Sequence, residues 1–363
     1  MNENTRNFFA AANGFDGFVS YFNEIFNPRE YEKIFILKGG PGTGKSSFLK
    51  NVIQSFQSKD SAHFEVIFCS SDPKSLDGVI IEKNGRKIAL LDGTAPHITD
   101  PIFPGAVEKI INLGDSWNES LLENNSDIIK KLANSKAMAY QNAYEYLAVA
   151  KICDTLVSSS VKKAFSLIED KIINDIFDKN NRYDTTIKII PLNAFGKQGF
   201  FELAPTSYNF DRAFQVVGIY GSEYLFMNEV FNLAKRYSQK VIISPSPLDK
   251  NKIDSIYLEQ EKTYIYIGKK FYKENTITVD TSKYIDLKSL DINKNKIETL
   301  YKEREAMLWC ATDEFSKAYT AHDGLEKIYS AAMNFKKNDK LLKKVCQQIN
   351  SILFEEDLNT QIP

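Results

Sequence analysis

The sequence predicts an α/β protein made of two three-layer αβα domains in tandem, each with a helical arm. Three observations predict it. The apolar run Ile34-Phe35-Ile36-Leu37 leads through a glycine-rich turn into Phe48-Leu49-Lys50-Asn51-Val52-Ile53, the order strand, turn, helix. Short, almost wholly apolar runs recur at residues 64–69 and 88–91, as expected of strands covered on both faces. A weaker copy of the whole series starts near Val216, and such self-similarity marks a repeat. The expected division is 1–195, with an arm over about 115–180, and 196–363, with an arm over about 292–356.

Residues 5–30 read as a mostly helical lead-in whose aromatic residues, Phe8, Phe9, Phe15, Phe18, Tyr21, Phe22 and Phe26, cover one side of the sheet that follows. The turn after Leu37 then carries the chemistry. Gly39-Gly40-Pro41-Gly42-Thr43-Gly44-Lys45-Ser46-Ser47 fits the pattern G-x-x-x-x-G-K-[ST] between an apolar strand and a helix, which is the context that a P-loop needs. The glycines let backbone N–H groups turn inward around a phosphate, and the helix N-terminus adds partial positive charge at the same spot. Lys45 is expected to reach the β- and γ-phosphates of ATP, and the Ser46 hydroxyl to ligate Mg²⁺. The domains are on this reading P-loop NTPase-like.

Asn84-Gly85 between apolar runs signals a hairpin, and its second strand ends in Asp92. An apolar strand closed by a carboxylate has the form of a Walker B segment, so Asp92 is expected to join Ser46 around Mg²⁺. The polar cluster Ser70-Ser71-Asp72-Pro73 stands at the carboxyl end of the preceding strand, where open α/β sheets place ligands. Asp72, and His97 in the loop after Asp92, are the candidates to orient an attacking group beside Lys45. Gly93 follows Asp92 where many hydrolytic P-loop proteins carry a glutamate, which points to slow turnover. Residues 115–180 carry apolar positions at helical spacing without proline, including Ile128, Leu132, Leu147, Leu156 and Ile168, and read as two antiparallel helices.

The second copy aligns at an offset of 178, with Gly218 on Gly40, Glu223 on Lys45 and Tyr224 on Ser46. Downstream, Val241-Ile242-Ile243-Ser244 falls on Val66-Ile67-Phe68-Cys69, Lys252 to Ile256 on Ser75 to Val79, Gly268 on Asp92, and Tyr284-Ile285-Asp286-Leu287 on Ile110-Ile111-Asn112-Leu113. A glutamate in place of the loop lysine repels a triphosphate, so the second P-loop is read as degenerate. Arg212, just before it, is a candidate finger toward the first half's nucleotide.

Composition narrows the partners. Net charge is −1, from 46 basic and 47 acidic residues, which gives no global footprint for nucleic acid or an anionic membrane. There is no basic leader before an apolar core and no apolar run long enough to span a bilayer, so a cytoplasmic protein is expected. Cys69, Cys153, Cys310 and Cys346 lie far apart in apolar or helical surroundings and read as free thiols, and three histidines are too few for a His-rich metal site.

Residues 34–47, 69–80, 89–101, 104–113 and 321–329 together resemble an uncharacterised bacterial family of paired P-loop, ATPase-like domains. The most specific segment is Asp92-Gly93-Thr94-Ala95-Pro96-His97. The resemblance implies a P-loop NTPase fold and ATP binding in the first half. The chain departs from the family pattern at Glu223 and Tyr224, which argues against a second nucleotide site. The expected function is a slow Mg²⁺-dependent ATPase or ATP-driven switch with one working site. Two alternatives stay open: a kinase of nucleotides or small metabolites, with Asp72 taking the acceptor's proton and the arm closing as a lid, and a regulator that binds nucleotide without hydrolysing it. Beyond ATP, an unidentified protein or small molecule, or a second copy of the chain, is compatible with the sequence.

Overall fold

The computed structural model describes residues 5–59, 62–166, 170–177, 180, 182–205, 208–268, 272–291 and 294–355. The first half runs β1 (Thr5–Phe9), β2 (Ala11–Gly14), β3 (Gly17–Ser20), α1 (Phe22–Ile25), β4 (Lys33–Lys38), α2 (Lys45–Phe56), β5 (His63–Phe68), β6 (Leu76–Lys83), β7 (Arg86–Asp92), β8 (Glu108–Asn112), α3 (Glu119–Asn124), α4 (Ser126–Ala164) and α5 (Asp170–Ile176). Six strands form a mixed sheet in the order β1-β5-β6-β7-β4-β8. β6 is antiparallel to both neighbours and the other pairs are parallel. The β6–β7 hairpin turns at Asn84 and Gly85, whose φ values of 51° and 77° suit the two residues that mirror-image hairpin turns favour.

The second half runs β9 (Thr186–Ile189), β10 (Asn193–Gly196), β11 (Gly199–Glu202), β12 (Arg212–Val217), α6 (Ser222–Tyr237), β13 (Lys240–Pro245), β14 (Ile253–Leu258), β15 (Thr263–Ile267), β16 (Ile277–Asp280), α7 (Leu287–Asp291), α8 (Lys294–Ala332) and α9 (Phe335–Leu353). Its sheet, β9-β13-β14-β15-β12-β16, repeats the order and the directions of the first. The duplication read from weak sequence likeness is therefore present in the topology, although its register differs from the alignment.

Strand pairing gives the register. Leu37 pairs with Asp92 and Val216 with Ile267, so Ile267, not Gly268, stands at the place of Asp92. Bulges at Ile67/Phe68 and Ser244/Pro245 match Phe68 to Pro245, two residues beyond the sequence alignment. Asn112 and Asp280 each accept the N–H two residues on, so Asp280-Thr281 matches Asn112-Leu113 in place of Asp286-Leu287. The match of Lys252 to Ile256 with Ser75 to Val79 holds, since Leu76 and Ile253 pair alike beside the two bulges. Short apolar runs look alike at any register, which is why only some matches survive.

Two compact units result: residues 1–10, 20–139 and 317–363, and residues 11–19 and 140–316. The division after residue 195 does not hold as a simple cut. In the first unit α9 buries Val345, Ile349 and Leu353 against Val52 and Phe56 of α2 and against Phe64, Val79 and Leu90 of the sheet. Burying such side chains contributes about 2 kcal/mol each. The alternate residues Ile34, Ile36, Ile80, Ala89 and Leu91 are buried on the opposite face, where Phe26 packs close to Gly78. In the second unit α6 buries Phe226 and Val230, and the end of α5 buries Ile176 with the following Phe177, on the equivalent face.

The lead-in is mostly extended, not helical. Phe8 and Phe9 lie on β1, which pairs with β5, and Gly17 at φ 89° turns the β2–β3 hairpin through the middle of the supposed helix. The aromatic residues still fill the core: Phe8, Phe9, Phe15, Tyr21, Phe22 and Phe26 are buried. The first arm is likewise not two antiparallel helices. It is one helix of 39 residues, α4, and the helix that packs antiparallel to it is the equally long α8, with Leu132 beside Gly324 in the first unit and Asn142 bonded to Glu314 in the second. Ile168, and residues 292, 293 and 356 at the ends of the second arm, lie outside the described residues. Among the described residues no helix is long and apolar enough to cross a membrane.

Candidate functional site

The site is built on the turn between β4 and α2. Gly44, at φ 88°, is the N-cap of α2 in the left-handed region that glycine adopts without strain, and Gly42 turns the loop at φ 69°. Lys45 opens the helix, and the first N–H groups of a helix have no intrahelical partner. Its Nζ donates to the carbonyls of Gly39 at 2.8 Å and Gly40 at 2.9 Å and lies 3.6 Å from Oδ2 of Asp92. Thr43 is fully buried and ties the loop to itself by donating to the Gly40 carbonyl at 2.8 Å.

Asp92 reaches Lys45 because β7 and β4 are parallel neighbours, in register at Leu37 and Asp92. Burial pushes its carboxyl up, opposed by Lys45 and by the side-chain and backbone bonds from Thr94, while Asp77 adds to the push. Thr94 N donates to Asp92 Oδ1 at 2.9 Å. The loop after Asp92 is pinned from β4: Lys38 Nζ donates to the carbonyls of Gly93 and Thr99, both at 2.8 Å, and pairs with Asp100 at 3.1 Å.

The other expected residues are placed around this core. Ser46 Oγ accepts the N–H of Leu76 at 3.0 Å, joining α2 to the start of β6. Asp72 stands in the turn after β5, where Oδ2 accepts the Ser75 hydroxyl at 3.3 Å. His97 is buried, stacks on Phe22 at 4.3 Å between ring centroids and sets Nε2 3.3 Å from Asp77 Oδ2. Gly39, Gly40, Pro41, Gly42, Thr43, Gly44, Lys45, Ser46 and Asp92 are thus one cluster, and His97 joins it through Asp77.

The helices α8 and α9 back the loop. A Cβ on Gly40 would meet the Tyr329 ring at 3.2 Å, one on Gly42 would run into the Glu326 carbonyl, and one on Gly44 would meet Phe335 at 3.3 Å. Ser330 Oγ donates to the Gly42 carbonyl at 3.0 Å and the buried Asn338 Nδ2 to that of Thr43 at 2.9 Å. One turn earlier on α8, His322 joins Lys136 of α4. Sequence reasoning missed Lys136, Glu326, Ser330 and Asn338, because each contact spans well over a hundred residues. From sequence, His322 and Asp323 on the second helical arm read as a solvated helix face, with a role facing the first half's nucleotide as the alternative. His322 is instead half-buried, and Asp323 pairs with Lys327 across one turn at the surface.

The second half's turn differs. The first turn has six residues, 39–44, and this one four, 218–221, with Gly221 capping α6 at φ 83° as Gly44 caps α2. Ser222 therefore stands at the place of Lys45 and Glu223 at that of Ser46, one position off the sequence alignment. The Glu223 carboxylate folds back over its own turn, with Oε2 2.9 Å from where a Cβ on Gly218 would be. Burial pushes that carboxyl up, opposed by its own backbone N–H and by Lys252 and Arg304. Arg304 pairs with Asp154 at 3.0 Å, and Lys252 pairs with the same carboxylate. Arg212 is no finger: it sits at the opposite end of β12 from the turn, bonded to the Asp175 carbonyl and to Thr263 Oγ1.

Among the described residues no group of three or more His, Cys, Asp and Glu side chains gathers to hold a metal ion. Comparison with family models, curated proteins and solved structures gives no match to any of them.

Proposed function

We propose that the chain is a Mg²⁺-dependent ATP-binding protein, a slow ATPase or ATP-driven switch, with one working nucleotide site on residues 39–47. The observation that carries the reading is Lys45 at the first turn of α2, its ammonium held between the Gly39 and Gly40 carbonyls and aimed at Asp92 on the adjacent parallel strand. The residues fit a triphosphate. Gly42, where a side chain would strike α8, keeps the loop narrow, and the free N–H groups of α2 supply donors and partial positive charge. They also fit Mg²⁺, which takes one or two protein ligands and completes its shell with water and phosphate oxygens, so a dedicated cage is not needed. Ser46 and Asp92 would hold that ion, and it would neutralise charge between the β- and γ-phosphates.

In this reading Lys45 offsets charge on the transferred phosphoryl group, and Asp72 and Asp77–His97 border the side of the sheet where an attacking water must lie. Gly93 after Asp92 keeps turnover slow. Glu223, folded into the second turn, gives the expectation of one ATP per chain. Titration calorimetry with Mg·ATP on the full chain checks that number, and Lys45→Ala checks the site. ATP at a hundred times its dissociation constant should stabilise the wild type by about 2.7 kcal/mol. The variant should lose that gain, and an undiminished thermal shift in it would refute the assignment.

A further inference from the structure

We propose that Lys136, carried on α4, is a recognition residue for the terminal phosphate of the nucleotide, set in place by His322 and Glu326 of α8. The proposal rests on the triphosphate reading above. Lys136 Nζ lies 3.1 Å from His322 Nδ1, and His322 Nε2 lies 3.5 Å from Glu326 Oε1. A charged lysine can only donate, so Nδ1 accepts and the ring proton sits on Nε2, facing the carboxylate. The chain of donors therefore runs in one direction, from Lys136 to Glu326.

This chain is anchored to the glycine-rich loop. Glu326, Tyr329 and Ser330 of the same helix press on Gly42 and Gly40, and the Ser330 hydroxyl is bonded to the Gly42 carbonyl. Lys136 also lies within electrostatic reach of Lys45. Burial lowers its pKa, Lys45 adds to that, and Cys69 and Glu326 oppose. Two neighbouring ammonium groups repel each other, and a multiply charged anion bound between them would relieve the repulsion.

The second unit holds the same arrangement with its charge satisfied internally. Lys136 and Arg304 are each the eleventh residue of a 39-residue helix, and His322 and Asp154 are each the twenty-ninth. There Asp154 pairs with Arg304 and Lys252, so the cation is neutralised by a carboxylate of its own unit. In the first unit a histidine occupies the carboxylate's position, and the lysine keeps its charge for a ligand.

The test is equilibrium titration of the full chain with Mg²⁺ and either ADP or an ATP analogue with an imido β–γ bridge. Lys136→Met keeps the aliphatic stem and should weaken the triphosphate at least about tenfold while moving ADP less than about threefold, the loss of one charge-assisted contact. Lys136→Arg should restore most of the difference. His322→Asp, which installs the second unit's carboxylate, should satisfy Lys136 internally and reproduce the loss with the lysine in place. A wild-type ratio of triphosphate to ADP affinity in Lys136→Met or in His322→Asp overturns the proposal alone. A wild-type chain that takes up neither nucleotide overturns the triphosphate reading and this proposal with it.

Discussion

Asp254 is the counterpart of Asp77, and the comparison yields a prediction about pH. Asp77 faces His97, whereas Asp254 is buried with neutral partners: Asn193 Nδ2 donates to its Oδ2 at 2.6 Å. Burial pushes its carboxyl up to about 6, Asn193, Tyr224 and Ser246 pull the other way, and Glu202 adds to the push. An unfolded aspartate titrates at about 3.9. Below that value both states are protonated and the group contributes nothing. Between it and about 6 the folded chain binds the extra proton, so stability falls as pH rises, and above 6 the penalty is constant. Two pKa units correspond to about 3 kcal/mol. Asp254→Asn removes the titration and keeps an acceptor for Asn193. Urea unfolding of wild type and variant at pH 4, 5, 6 and 7 should show the variant gaining on the wild type by about 2 kcal/mol across that range. Subtracting the two profiles cancels every other titrating group. A difference that stays constant from pH 4 to 7 would refute the reasoning.

Two further perturbations test how the loop is supported. Gly42→Ala forces a side chain into the left-handed region and against the Glu326 carbonyl and the Ser330 hydroxyl; it should cost about 2–4 kcal/mol in urea unfolding, and a loss under about 0.5 kcal/mol would mean that α8 does not hold the loop. Asn338→Ala deletes the buried bond to the Thr43 carbonyl and should cost about 1–2 kcal/mol, while Asn338→Asp, which lacks the donor, should cost at least as much.

The cluster around Lys45 was legible because it is local. Lys45, Ser46 and the glycines lie within one turn, and an apolar strand ending in Asp92 needed only to be the parallel neighbour of β4, which the register at Leu37 provides. The β6–β7 hairpin was legible for the same reason, since Asn84-Gly85 specifies its own turn. The lead-in was misread because Phe8, Phe15, Phe22 and Phe26 satisfy a helical spacing by accident, and Gly14 and Gly17 carried the contrary signal of a hairpin. Periodicity shows that α9 has an apolar face but not which sheet that face covers. Nothing in the order of the chain therefore assigns residues 317–363 to the first unit. The pairing of Lys136 with His322 escaped notice because a contact across 186 residues leaves no pattern in either segment. The second half's register failed by one position beside the turn that is two residues shorter, and at the apolar strands because such runs look alike at any register.

That shortened turn also bears on how freely the protein can change over generations. Replacing Glu223 would remove the carboxylate that folds over residues 218–221, yet four residues still have to curl where the first half uses six. Lengthening the turn alone would leave the acid at the head of α6. Reproducing the first half's turn would take both changes together, since neither alone gives six residues leading into a basic side chain. The difference between the halves is in this sense held in place: no single step converts one turn into the other.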